Sequence, residues 1–400
     1  AALTTSQIVA LTTLQASQLS SAQVAAMSTA QIAAIETVDF AKISTAALSG
    51  LTAEQSAKLT TDQIVALTTA QASQLSATSS GALTSAQVAA LETGDLANLS
   101  TDAIQALTTS ALAGLSAANQ VAKLTTTQIG ALSSAQISSL STAQVTALVT
   151  AQTNKLSSDH ISALTTAQLV AMTTAGVAAL TTNAISSITT AQAAKLTTAQ
   201  IVALTTAQAA ALSTDTLSAL SSAQVAAFET ADLAQVTTAA MAAISTAALA
   251  GLSTAQISKL GTSQVSGLTS DQVAVLSTAN VNALTTTQVS NLTSVQLAAL
   301  TSAQAKAIGT AQMAALGTAQ INKLNTDHMG ALTASQIKAI TTDGLVALGS
   351  DQIAAINTAA ITGLTTDQVV ALTTTQMDKL TTVQMVALTS AQVGALETRD

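Results

Sequence analysis

Two histidines, His160 and His328, are the first residues to weigh, because an imidazole is the side chain best suited to proton transfer or metal binding near neutral pH. Each follows an aspartate, Asp159 or Asp327, and the two stand far apart in a chain of 400 residues. Ser and Thr are everywhere, but a nucleophile needs an activating base and an orienting partner, and the sequence offers no such arrangement. Carboxylates pair three residues apart in Glu-Thr-x-Asp segments, as in Glu92 and Asp95. That spacing would attract a cation weakly, but it lacks the oxygen-rich loop of a calcium site. No glycine-rich phosphate loop or P-loop lysine is present. With no cysteine there is no disulfide, no thiolate cluster and no thiol nucleophile. Asn98-Leu99-Ser100 and Asn291-Leu292-Thr293 fit the N-glycosylation acceptor pattern, and the abundant hydroxyls are an expected site of O-glycosylation. No catalytic, cofactor-binding or metal-ligating residue is therefore assigned, no cofactor is expected, and the chain reads as a non-enzyme.

All of these residues occupy fixed places in a repeat. Written as Leu-Thr-Thr-Ala-Gln-Val-Ala-Ala with Leu at position 1, the pattern advances in steps of eight from Leu3 to Leu115, and again from Leu124 to Leu396. Between them Leu115–Lys123 forms one nine-residue unit. Each histidine takes position 5, where Gln is the rule, so a hydrogen-bonding stand-in for that Gln is the preferred reading. A longer period overlies the octad. Segments opening at Thr4, Thr60, Thr197 and Thr365 each reach Glu-Thr-x-Asp four octads later, at Glu36, Glu92, Glu229 and Glu397. Thr4 and Thr60 are seven octads apart, and Thr197 and Thr365 are three times as far apart. Block duplication accounts for this, with a seven-octad structural or ligand-binding module as the alternative.

The period of eight decides the secondary structure. In one long helix, eight residues overshoot whole turns by about 80°, so the Leu stripe would wind around the rod. A β-solenoid keeps its faces in register, but the residue details favour one short helix per octad. Thr at position 2 and Gln at position 5 form the S/T-x-x-E/Q capping box, and Leu at position 1 with Val/Ile at position 6 form the hydrophobic staple. Of fifty position-2 residues, 39 are Ser or Thr. Eighteen of nineteen acids fall at positions 2 to 5, and eight of ten lysines close a unit just before the next position 1. That polarity complements a helix dipole restarted every eight residues. Two turns of helix do not persist alone, so neighbouring octads must stack into a continuous apolar spine. The expected fold is an all-α solenoid of very short helices around a Leu/Val/Ile spine, continuous over 1–400 and excerpted from a longer array.

Composition narrows the function classes. The net charge of −8 argues against binding a nucleic-acid backbone, and hydroxyl pairs interrupt every apolar run long before a membrane span. Mean hydropathy of +0.50 is too apolar for a disordered chain. Trp and Tyr are absent and only Phe40 and Phe228 are aromatic, both at staple positions. Ala at positions 4, 7 and 8 would let thin helices approach closely.

Leu83-Thr84-Ser85-Ala86-Gln87-Val88 resembles the opening of a TAL-effector DNA-binding repeat. The likeness covers that helix start alone and implies shared capping physics, not DNA binding. As an array, the chain resembles the very large tandem-repeat proteins of Gram-negative bacteria, often labelled adhesins or haem-utilisation proteins. That resemblance implies secretion and a cell-surface or extracellular role. The expected function is a structural stalk or self-associating filament, its partners copies of itself. The alternative is a repetitive binding surface for surface glycans or ice.

Overall fold

The computed structural model describes residues 3–397. It contains 48 α-helices and one 3-10 helix, with no strand among the described residues. Each complete octad supplies one α-helix, as in Ser21–Ala26 or Thr61–Val65. The β-solenoid is thereby excluded over this range. Most of these helices are four to six residues long, so none is long and apolar enough to cross a membrane.

Positions 1 and 2 make the corners. Leu91, at position 1, closes the helix Ser85–Ala90 with φ −60° and ψ 130°. Thr60, at position 2, opens Thr61–Val65 with φ −73° and ψ 155°. Two successive extended residues thus turn the chain out of one helix and into the next. No described residue needs a positive φ to do it, so no glycine is required at the helix ends, where one would often stand.

Contacts divide the chain into two units, Ala1–Leu204 and Thr205–Asp400. Within each, a helix packs on the helix three octads along. Ala77–Gly81 meets Thr101–Ala106 in the first unit, and Thr214–Ser218 meets Thr238–Ala243 in the second. The spine is made by the two staple positions. Position 6 is sealed, with Ile64, Val88, Ile257 and Val289 at 0% exposure, and position 1 nearly so, with Leu67 and Leu284 at 5%. Phe40 and Phe228 lie buried in the same two rows.

The nine-residue unit keeps this plan. Its extra residue is taken up in a turn before the 3-10 helix Val121–Lys123, and Leu115, Val121 and Leu124 remain buried. The Ser116 N–H still reaches Gln120 Oε1 at 2.8 Å, across four residues instead of three. The insertion is therefore a local bulge that leaves the spine intact.

Where position 8 is glycine, neighbouring turns approach closely. A Cβ added to Gly251 would stand 2.1 Å from the carbonyl oxygen of Ser222 on the preceding turn. Backbone, not a pliable side chain, blocks that space. Gly251→Ala should destabilise the second unit by about 1–3 kcal/mol, the usual cost of overpacking, read as a lower midpoint in urea unfolding. An unchanged midpoint would mean that the turns are looser than described.

Candidate functional site

Position 5 is where polar chemistry is concentrated, and it is buried. Gln63, in the first unit, shows the arrangement. Its backbone N–H donates to Thr60 Oγ1 at 3.1 Å, and its side-chain Oε1 accepts from the Thr60 N–H at 3.0 Å. That is the capping box expected from the sequence. Its Nε2 does something more. It donates to the carbonyls of Ile32 at 2.8 Å and Ile35 at 2.9 Å, which lie 31 and 28 residues earlier. Those carbonyls belong to the end of one helix and the corner after it, acceptors that a short helix cannot satisfy internally.

The same rung recurs through both units. Gln288 accepts from the Thr285 N–H at 2.7 Å and donates to Ile257 and Leu260 at 2.9 and 2.7 Å. Around the nine-residue unit the separations become 32 and 29, as for Gln128 on Leu96 and Leu99, and return to 31 and 28 at Gln152. The ladder thus follows octad positions and not residue count. The shorter separation of 28 residues, as between Gln63 and Ile35, equals three and a half octads. Each superhelical turn therefore takes between three and four octads. Two such rungs make seven octads, the spacing of the longer sequence period.

Both histidines stand in for the glutamine. His160 Nδ1 accepts from the Ser157 N–H at 3.2 Å, and Nε2 lies 2.7 Å from the Leu132 carbonyl, again 28 residues back. His328 does the same with Asn325 and Leu300. An acceptor at Nδ1 and a donor at Nε2 define the neutral Nε2–H tautomer, which supplies the two functions of a glutamine amide. Both rings are buried and fully engaged, His160 in the first unit and His328 in the second.

The Glu-Thr-x-Asp units depart from the pattern. Glu36, Glu92 and Glu229 stand at the N-cap without a side-chain capping bond. Asp39, Asp95 and Asp232 take position 5 and are only 4%, 3% and 5% exposed. The sequence reads these acids simply as charges near a helix dipole; the aspartates instead sit inside, because position 5 faces the preceding turn. Burial holds the Asp95 carboxyl above the ordinary carboxylate range; a hydrogen bond from Thr69 works against this and the Glu92 charge adds to it. Asp232 is raised by burial and then by Glu229. Asp400, in the fourth copy, lies outside the described residues.

The remaining candidates are surface features. Asn98 donates to Gly94 O and Asn291 to Thr287 O, both at 2.8 Å, so each glycosylation-type asparagine is bonded to its own helix at the surface. Among the described residues no group of three or more His, Asp or Glu is placed to hold a metal ion.

These features define the class: an all-α solenoid of capped octads, stapled turn to turn by buried side-chain amides. The chain belongs to the ALTTAQ repeat family, whose model matches it in twelve stretches that together take in residues 32–69, 88–158 and 161–382. The hexapeptide itself stands at Ala163-Leu164-Thr165-Thr166-Ala167-Gln168. Comparison with curated proteins finds no match.

The double use of position 5 makes a sharp test. Gln288→Ala leaves two buried carbonyls and one N-cap donor without partners, and should cost about 1–3 kcal/mol. Gln288→Glu keeps the shape but sets a carboxylate against two carbonyls, so at pH 7 it should cost more than the alanine. His160→Gln, by contrast, should unfold within about 1 kcal/mol of the parent, since both side chains make the same bonds. Urea denaturation of the three variants at pH 7 checks the order; a glutamate variant as stable as the parent would remove Nε2 from the account.

Proposed function

We propose that this chain is a non-enzymatic structural protein of the cell exterior, acting as a stalk or as the body of a self-associating filament. The observation that carries this reading is the ladder itself. Position-5 glutamines such as Gln63 and Gln288, and both histidines, are engaged in joining one turn to the next. A repeated neighbour-to-neighbour contact specifies length and stacking, whereas catalysis needs one atypical place. The extracellular assignment draws support from the resemblance to large bacterial surface repeats.

Self-association draws support from the low charge of the chain and from the Ala- and Thr-rich faces of its repeat, which suit lateral packing of copies into fibres.

Negative-stain micrographs and sedimentation over a range of concentrations test this reading. The expected result is fibres that lengthen with concentration. Dispersed monomers at high concentration would reject the filament.

A repetitive binding surface is the second reading, favoured by the position-3 hydroxyls. Thr13, Thr61 and Thr69 stand exposed at intervals set by the octad. Binding on a glycan array, or thermal hysteresis in ice growth, would select it over a plain scaffold.

A further inference from the structure

Asp95 poses a problem of hydrogen bonding that the rest of the ladder does not share. It occupies position 5, 3% exposed, and its Oδ2 has no hydrogen-bond partner. By the register of the ladder, the group it faces on the preceding turn is the carbonyl of Leu67. Elsewhere that carbonyl receives a glutamine amide: Gln71 gives one to Ile43 and Gln87 to Leu59, both at 2.8 Å. A side chain as short as aspartate does span the gap. Asn280, its amide counterpart, donates Nδ2 to the Leu252 carbonyl at 2.9 Å across the usual 28 residues. An ionised Asp95 brings an acceptor where Asn280 brings a donor. Two acceptors in a buried place require something between them, and burying a charge unpaired is costly.

We propose that Asp95 binds a proton that closes this missing rung, its carboxyl O–H donating to the Leu67 carbonyl, so that the unit at Glu92–Asp95 tightens on acidification. The proton comes from solvent and no other bond is made or broken. Charge around the site favours this occupant. The helix Thr69–Ser73, packed against Asp95's own helix, carries no ionisable group and supplies only the Thr69 hydroxyl. The neighbouring turn Val121–Lys123 carries Lys123, and the next helix along the chain carries Asp102. On its own unit Glu92 adds a negative charge that disfavours a second one. Asp39, seven octads earlier in the first unit, is buried at the equivalent position of its own unit.

The direction with pH follows from linkage. The folded carboxyl is raised above its ordinary value of 3.8, so the stability it contributes is complete below that value. It is lost as the pH climbs through the raised folded value.

The test compares the full chain with Asp95→Asn by thermal unfolding at pH 7 and pH 4, with and without 2 mM calcium chloride. Asparagine carries the donor permanently. At pH 7 the variant should melt about 2 °C above the parent, and at pH 4 the gap should close as the parent gains its own proton. Hydrogen exchange in residues 93–98 should slow in the parent between pH 7 and pH 4, after correction for the intrinsic rate, and not in the variant. An equal gain at both pH values, or no gain at pH 7, would overturn the proposal. So would calcium stabilising the parent but not the variant at pH 7, which would put a cation in the proton's place.

Discussion

Short helices create a backbone problem, and the position-5 amide is its solution. A helix leaves its first N–H groups and its last carbonyls unpaired. Here the helices are so short that most of their backbone is terminus, and the ends are buried against neighbouring turns. An unpaired buried carbonyl or N–H forfeits about 1–3 kcal/mol, repeated in every unit. The glutamine amide has an acceptor and a donor on adjacent atoms. It spends the first on the N-cap N–H of its own unit and the second on the corner carbonyls of the turn before. Local capping and long-range stacking are therefore one interaction, and neither is complete without the other.

This coupling explains which features are legible in the sequence. The capping box and staple lie within six residues, so Leu59-Thr60-Thr61-Asp62-Gln63-Ile64 states its own helix start, and the structure follows it. The solenoid follows from the helices being too short to stand alone. The partner of Gln63 Nε2 is not legible, because Ile32 and Ile35 are near it only once the superhelix has closed. For the same reason neither the length of a turn nor the meaning of the seven-octad period can be read from octads. The histidines take their places by analogy with glutamine, since both side chains offer one acceptor and one donor. The aspartates of Glu-Thr-x-Asp read from sequence as acids at a helix start. They do lie in the first helical turn, but position 5 points inward, a fact that depends on the turn packed beneath it.

The exceptions show how much the ladder tolerates. Ala103 and Ala184 fill position 5 with no polar group at all, and both are fully buried. Val149 replaces the N-cap hydroxyl, yet Gln152 still accepts its N–H at 2.9 Å and donates to Val121 and Leu124. Half a rung or a missing rung is absorbed because each unit is held also by the staple residues above and below. What the array does not admit among its described position-1 residues is a polar one, since that row is continuous from turn to turn. Apolar burial gives the column its cohesion, and the amides fix its register.

The neutrality of this device has a physical consequence. Amide–carbonyl bonds carry no net charge, so salt does not screen them as it screens exposed ion pairs, and they do not titrate across the range in which carboxylates and histidines do. Eight of the ten lysines close a unit and most acids stand near a unit's start, while among the described residues Asp39, Asp95 and Asp232 are the acids found buried. Neutral rungs therefore hold the register of one turn on the next across changes of salt and pH. Asp95 and Asp232, whose carboxyls burial holds above the ordinary range, are the exceptions to that neutrality.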